Sequence, residues 1–141
     1  MYFDTSALVP IVIEEPSSIV ASRLWDEADR VVSSRLIYAE GRAALAMARR
    51  MDRIDERGLR DAVDEFDSLH DQLDVIEVTE RLVRDAGALA EQLSLRGYDA
   101  VHLASARVVD DQDLVLAAGD QGLLAAARAL GMATADLTRQ S

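Results

Sequence analysis

No cysteine and no lysine occur among the 141 residues, and only 4% are aromatic. The first absence excludes disulfides, thiolate zinc sites and cysteine nucleophiles, and it is compatible with a reducing compartment. The second removes Schiff-base chemistry and the phosphate-binding lysine of P-loops. All fifteen basic residues are therefore Arg, set against twenty-six acidic ones for a net charge of −11. Such a chain is a poor general binder of phosphate backbones, so any nucleic-acid function must rest on local Arg placement and on cations. No basic-then-apolar signal opens the sequence, and no apolar run approaches membrane-spanning length. The expectation is a soluble cytoplasmic protein that does not engage a membrane.

Half of the residues are hydrophobic, mostly Leu, Val, Ile and Ala, enough for one domain with its own core over residues 1–141. Short apolar runs alternate with helical segments, the pattern of an α/β fold with a parallel sheet. Strands are expected at Tyr2 to Asp4, Val31 to Ser33, Val75 to Val78, Leu114 to Ala117 and Met132 to Thr134. Between them, Leu59, Ala62, Val63, Phe66 and Leu69 form one helical stripe, and Leu82, Ala86, Leu89 and Leu93 another. Thr79 and Ser17 are expected helix N-caps. Ser34 to Arg50 reads as an Ala-rich helix, and Ala100 to Val109 as a deeply buried one.

Four acidic residues stand at points where a strand or loop hands over to a helix: Asp4, Glu40, Asp99 and Asp120. Carboxylates gathered without basic partners repel one another, and a divalent cation relieves them. Each has an ordinary structural reading too. Asp4 and Asp120 are good N-caps, Asp99 suits a helix dipole, and Glu40 alone reads equally as a solvated helix residue. Its small neighbours Ala39 and Gly41 leave room for a ligand. Most other acids read as solvated, including Asp61, Asp64, Glu65, Asp67 and Asp71, the turn residues Asp110, Asp111 and Asp113, and Glu14 and Glu15. His102, three residues after Asp99, reads as a hydrogen-bonded core histidine before it reads as a general base. Arg35, Arg42 and Arg49 recur every seven residues and form either an RNA-tracking or a solvated stripe, whereas Arg96 is the better candidate for the pocket edge.

The words around these acids are distinctive. Asp4-Thr5-Ser6-Ala7-Leu8-Val9, Tyr38-Ala39-Glu40 and Tyr98-Asp99-Ala100-Val101-His102-Leu103-Ala104-Ser105-Ala106 resemble the PIN-domain family, and more closely the VapC-type ribonuclease toxins of VapBC toxin–antitoxin pairs. Gly119-Asp120-Gln121-Gly122-Leu123 is similar to that family's last acidic motif, with Ala118 where the family often has a Thr. The resemblance implies a three-layer α/β/α fold with about five parallel strands. It implies a Mg2+- or Mn2+-dependent endoribonuclease whose acidic set is Asp4, Glu40, Asp99 and Asp120, supported by Thr5 or Ser6. An RNA substrate, a cognate VapB-type antitoxin and a homodimer are implied as well. A degenerate PIN module that binds RNA or a protein without cutting is the alternative. A receiver domain would need a Lys, and a haloacid-dehalogenase-like phosphatase an Asp where Ser6 stands.

Overall fold

A computed structural model describes residues 1–109 and 113–139. The expected turn acids Asp110 and Asp111 lie outside the described residues; Asp113, inside them, is exposed. The elements run β1 (Tyr2–Phe3), α1 (Thr5–Val12), α2 (Ser18–Glu27), β2 (Val32–Ser34), α3 (Ile37–Arg50), α4 (Glu56–Asp71), β3 (Asp74–Ile76), α5 (Glu80–Leu93), α6 (Gly97–Val108), β4 (Val115–Ala118), α7 (Gln121–Ala129) and β5 (Ala133–Asp136). Each expected strand is present, most of them shifted by a residue or two. The strands form one parallel sheet in the order β3-β2-β1-β4-β5. The shortest strand is thus the central one, paired through Tyr2 with Val32 on one side and Leu116 on the other.

Alternation along β1 divides the core. Tyr2 points into a cluster with Leu82, Leu89, Leu103, Leu116 and Leu124 from α5, α6, β4 and α7. Phe3 points to the opposite face, where Leu8, Ile37, Leu45, Phe66 and Leu69 gather from α1, α3 and α4. Side chains of successive strand residues take opposite faces, so two helical layers sandwich the sheet. Each fully buried Leu or Phe in these clusters contributes roughly 1.5 to 3 kcal/mol. Among the described residues no helix is long and apolar enough to cross a membrane.

Several local expectations change. Thr79 caps α5 as expected, its hydroxyl accepting the Leu82 N–H at 3.2 Å. Ser17 precedes α2 but makes no side-chain cap; Ser18 closes that turn instead, accepting from the Glu15 N–H at 2.8 Å. The helix expected from Ser34 starts at Ile37, because Ser34 belongs to β2 and its hydroxyl accepts the Leu36 N–H. Glu15 is half-buried beside Arg53, not simply solvated.

Candidate functional site

Sheet geometry aims two of the four acids at once. Asp4 follows β1 and Asp120 follows β4, so both stand beyond the carboxyl ends of adjacent parallel strands, where ligand sites of α/β sheets are built. The Asp4 N–H donates to the Ala117 carbonyl at 3.3 Å, extending the β1–β4 pairing to the site itself. One hydroxyl then joins the two turns. Ser6 Oγ donates to Asp4 Oδ1 at 2.6 Å and accepts the Gly119 N–H at 2.8 Å.

Asp4 is almost wholly buried, with 5% of its surface exposed. Its carboxylate does not cap α1; it takes the Ser6 hydroxyl instead. Burial pushes its pKa from the ordinary 3.8 up to about 6, partly offset by the nearby His102 and the Ser6 hydrogen bond, while the charge of Asp99 adds to the rise. A buried carboxylate with a like-charged neighbour is an anion awaiting a counter-charge.

Glu40 lies in the first turn of α3. Its Oε1 is contacted twice, by Thr5 Oγ1 at 3.1 Å and by His102 Nε2 at 2.6 Å. His102 is buried, and its other nitrogen, Nδ1, lies 2.8 Å from the Tyr2 hydroxyl. The core reading of His102 therefore holds, with an addition that local spacing did not reveal: this core histidine touches a site carboxylate. The small residue after Glu40 has a different purpose from the one expected. Gly41 is small because the Phe66 ring packs against it, not to leave room for a ligand.

Asp99 lies in the first turn of α6 and Asp120 is the N-cap of α7, its Oδ1 accepting the Leu123 N–H at 2.9 Å. Arg96 links the two. Its Nε is 3.0 Å from Asp99 Oδ2, and its Nη2 is 3.0 Å from Asp120 Oδ2. The Arg96 side chain stays 78% exposed, and these two carboxylates raise its pKa further. The expected arginine stripe dissolves: Arg35 lies ahead of α3 and pairs with Glu77, Arg42 reaches the Tyr38 hydroxyl, and Arg49 pairs with Asp52 and Glu56.

As the side chains stand, no three His, Cys, Asp or Glu groups among the described residues converge on one ion-sized point. Oε1 of Glu40 is occupied by two donors, and Asp99 and Asp120 share a guanidinium. The chemistry of the donor set nevertheless suits a hard divalent cation. It is all carboxylate oxygen, one member is buried and poorly compensated, and Glu40 Oε2 makes no hydrogen bond among the described residues. A groove of about 620 Å3 on the β3 side, lined by Ile76, Leu82, Ala104 and Arg107, contains none of the four acids.

A family model described as the PIN domain matches residues 1–130. Ribonuclease VapC45 of Mycobacterium tuberculosis is 44% identical over 131 residues, 93% of this chain and 91% of that one. Among solved structures, M. tuberculosis VapC20, described as a sarcin-ricin loop cleaving toxin, superposes with a TM-score of 0.64 at 21% identity, covering 89% of this chain and 93% of that one. A toxin–antitoxin complex from Klebsiella pneumoniae gives a TM-score of 0.60 at 17% identity, covering 84% and 85%.

Proposed function

Since the chain belongs to the PIN-domain family, together with the VapC ribonucleases that match it along nearly their whole length, we propose that it is the endoribonuclease toxin of a type II toxin–antitoxin pair, hydrolysing RNA phosphodiester bonds with Mg2+ or Mn2+. VapC ribonucleases with this domain are metal-dependent. The observation that supports the reading is the buried Asp4 carboxylate at the carboxyl end of the central strand, near enough to Asp99 to feel its charge.

Asp4, Asp99, Glu40 and Asp120 are the residues that would hold the ion. When bound, such a cation polarises a phosphoryl oxygen and makes a water more acidic. The chain's own groups do the rest. Ser6 and Thr5 orient the carboxylates of Asp4 and Glu40 through their hydroxyls. Arg96 neutralises Asp99 and Asp120, and its exposed guanidinium is placed to turn toward a phosphate of the substrate. With no cysteine or lysine in the chain, an activated water is the simplest nucleophile.

The net charge of −11 supports a partner that supplies positive charge, as a VapB-type antitoxin would with basic residues at the acidic pocket. Assembly as a homodimer, a single domain spanning residues 1–141 and a cytoplasmic location complete the reading. Incubating the purified chain with total cellular RNA and Mg2+ or Mn2+, then mapping the new ends, tests it. Cleavage is expected for the wild type, and none with EDTA or in Asp4→Asn. An Asp4→Asn protein that still cuts overturns the site assignment. A wild type that binds RNA yet cuts nothing with either ion points to the non-catalytic module instead.

A further inference from the structure

Glu40 and His102 belong to opposite layers of the sandwich, α3 and α6, and meet around the carboxyl edge of the sheet. The chemistry of their partners determines which atom carries each hydrogen. An ionised carboxylate only accepts, so His102 Nε2 must donate to Glu40 Oε1 across 2.6 Å. A neutral imidazole then has a bare Nδ1, which must accept, and the Tyr2 hydroxyl 2.8 Å away is the donor. Tyr2 is fully buried in the core, and burial holds its hydroxyl firmly protonated. Its ring meets the imidazole edge-on at 5.9 Å, fixing the plane of His102. With both nitrogens engaged and 2% of its surface exposed, His102 has no free nitrogen for a water.

We propose that His102, locked by Tyr2, is the positioning residue of Glu40. It holds Oε1 together with Thr5, which leaves Oε2 without a hydrogen bond among the described residues. This inference rests on the metal-dependent nuclease reading for its consequence, though not for its geometry. Removing a group that orients a ligating carboxylate typically weakens metal binding 10- to 100-fold. Tyr2 is fully buried in the core, so packing around it sets the orientation of the pair.

Two measurements on the full chain test the proposal. The first needs no metal: nitrogen-15 NMR of the His102 ring should show the Nε2–H tautomer, and Glu40→Gln should move the Nε2–H signal. An Nδ1–H tautomer, or a signal indifferent to Glu40→Gln, overturns the proposal. The second titrates Mn2+ by electron paramagnetic resonance, with melting temperature recorded alongside. His102→Leu is expected to bind Mn2+ roughly 10- to 100-fold more weakly. His102→Gln, which restores an N–H donor toward Glu40, should recover most of that loss. Tyr2→Phe, which keeps the ring but not the hydroxyl, should weaken binding by a smaller factor. Should His102→Leu fail to fold, the Gln and Phe variants still decide. Folded variants that all bind Mn2+ as the wild type does overturn the proposal. A wild type that binds no Mn2+ would defeat the nuclease reading, and the tautomer result would still judge the positioning role.

Discussion

The ring of Phe66 fills the space where a side chain on Gly41 would begin: a Cβ there would fall 2.1 Å from Phe66 Cζ and 2.5 Å from Cε2. Glycine at this position lets α4 lie close against α3, next to the residue that carries the Glu40 carboxylate. Helix propensity alone would favour alanine by about 1 kcal/mol. The overlap is with a fully buried ring that has no exit, so the clash outweighs that gain. Gly41→Ala should destabilise the chain by about 1 to 3 kcal/mol in a urea titration. Adding Phe66→Leu should recover part of the loss, and a double-mutant cycle would expose the coupling. Two simply additive losses would show that the ring moves aside freely.

Asp4 makes stability depend on pH in an unusual direction for a carboxylate. Its folded-state pKa of about 6 lies above the ordinary 3.8. Its contribution to stability is therefore fully present below about pH 4 and is lost as pH rises through about 6. In metal-free protein the difference between the two limits is at most about 3 kcal/mol. Asp4→Asn removes the titrating group while keeping an oxygen for the Ser6 hydroxyl. Relative to wild type it should gain stability between pH 5 and 7.5, in chelator, as denaturant melts would show. Cation affinity of the wild type should fall as pH drops below about 6, since a proton then competes for the same oxygen. A pH-independent stability difference would refute the burial argument.

Asp120 has two duties that can be separated. Its Oδ1 caps α7 through the Leu123 N–H, and its Oδ2 faces Arg96. Asp120→Asn keeps a cap-competent oxygen and loses the charge, whereas Asp120→Ala loses both. The Ala variant should lose about 1 kcal/mol of stability that the Asn variant largely keeps. Both should cut RNA at least ten-fold more slowly if the charge matters to the reaction. Comparing melting temperatures with single-turnover cleavage rates distinguishes the duties.

Arg96→Ala should leave stability within about 1 kcal/mol, because exposed ion pairs contribute little. Its two carboxylates would then be without their counter-charge. Mn2+ affinity should rise several-fold while RNA cleavage slows. Opposite movements of binding and cleavage are the signature of a cation that both competes for the acids and serves the substrate; parallel losses would assign Arg96 a purely structural role.

Much of this fold was legible because its signals are local. The alternation at Tyr2–Phe3, the stripe ending in Phe66 and Leu69, and Thr79 ahead of α5 each depend on neighbours a few positions away. The acids were legible as residues, since each follows a strand or opens a helix. Their partners were not. Tyr2 and His102 are 100 positions apart, and His102 and Glu40 are 62 apart. Only the strand order, with β1 between β2 and β4, brings them together. Local spacing likewise suggested a continuous arginine stripe, but Arg35 sits in the β2–α3 connection and turns to Glu77 beyond β3.

The central place of β1 also governs when the site can assemble. The Ser6–Gly119 bond that joins the two acidic turns spans 113 positions. A ribosome needs roughly 5 to 25 seconds to make that intervening chain. Until β4 emerges, β1 has one flank open and Asp4 lies in water with neither Asp120 nor the Gly119 turn beside it. The joined acidic turns therefore cannot form before β4 is made.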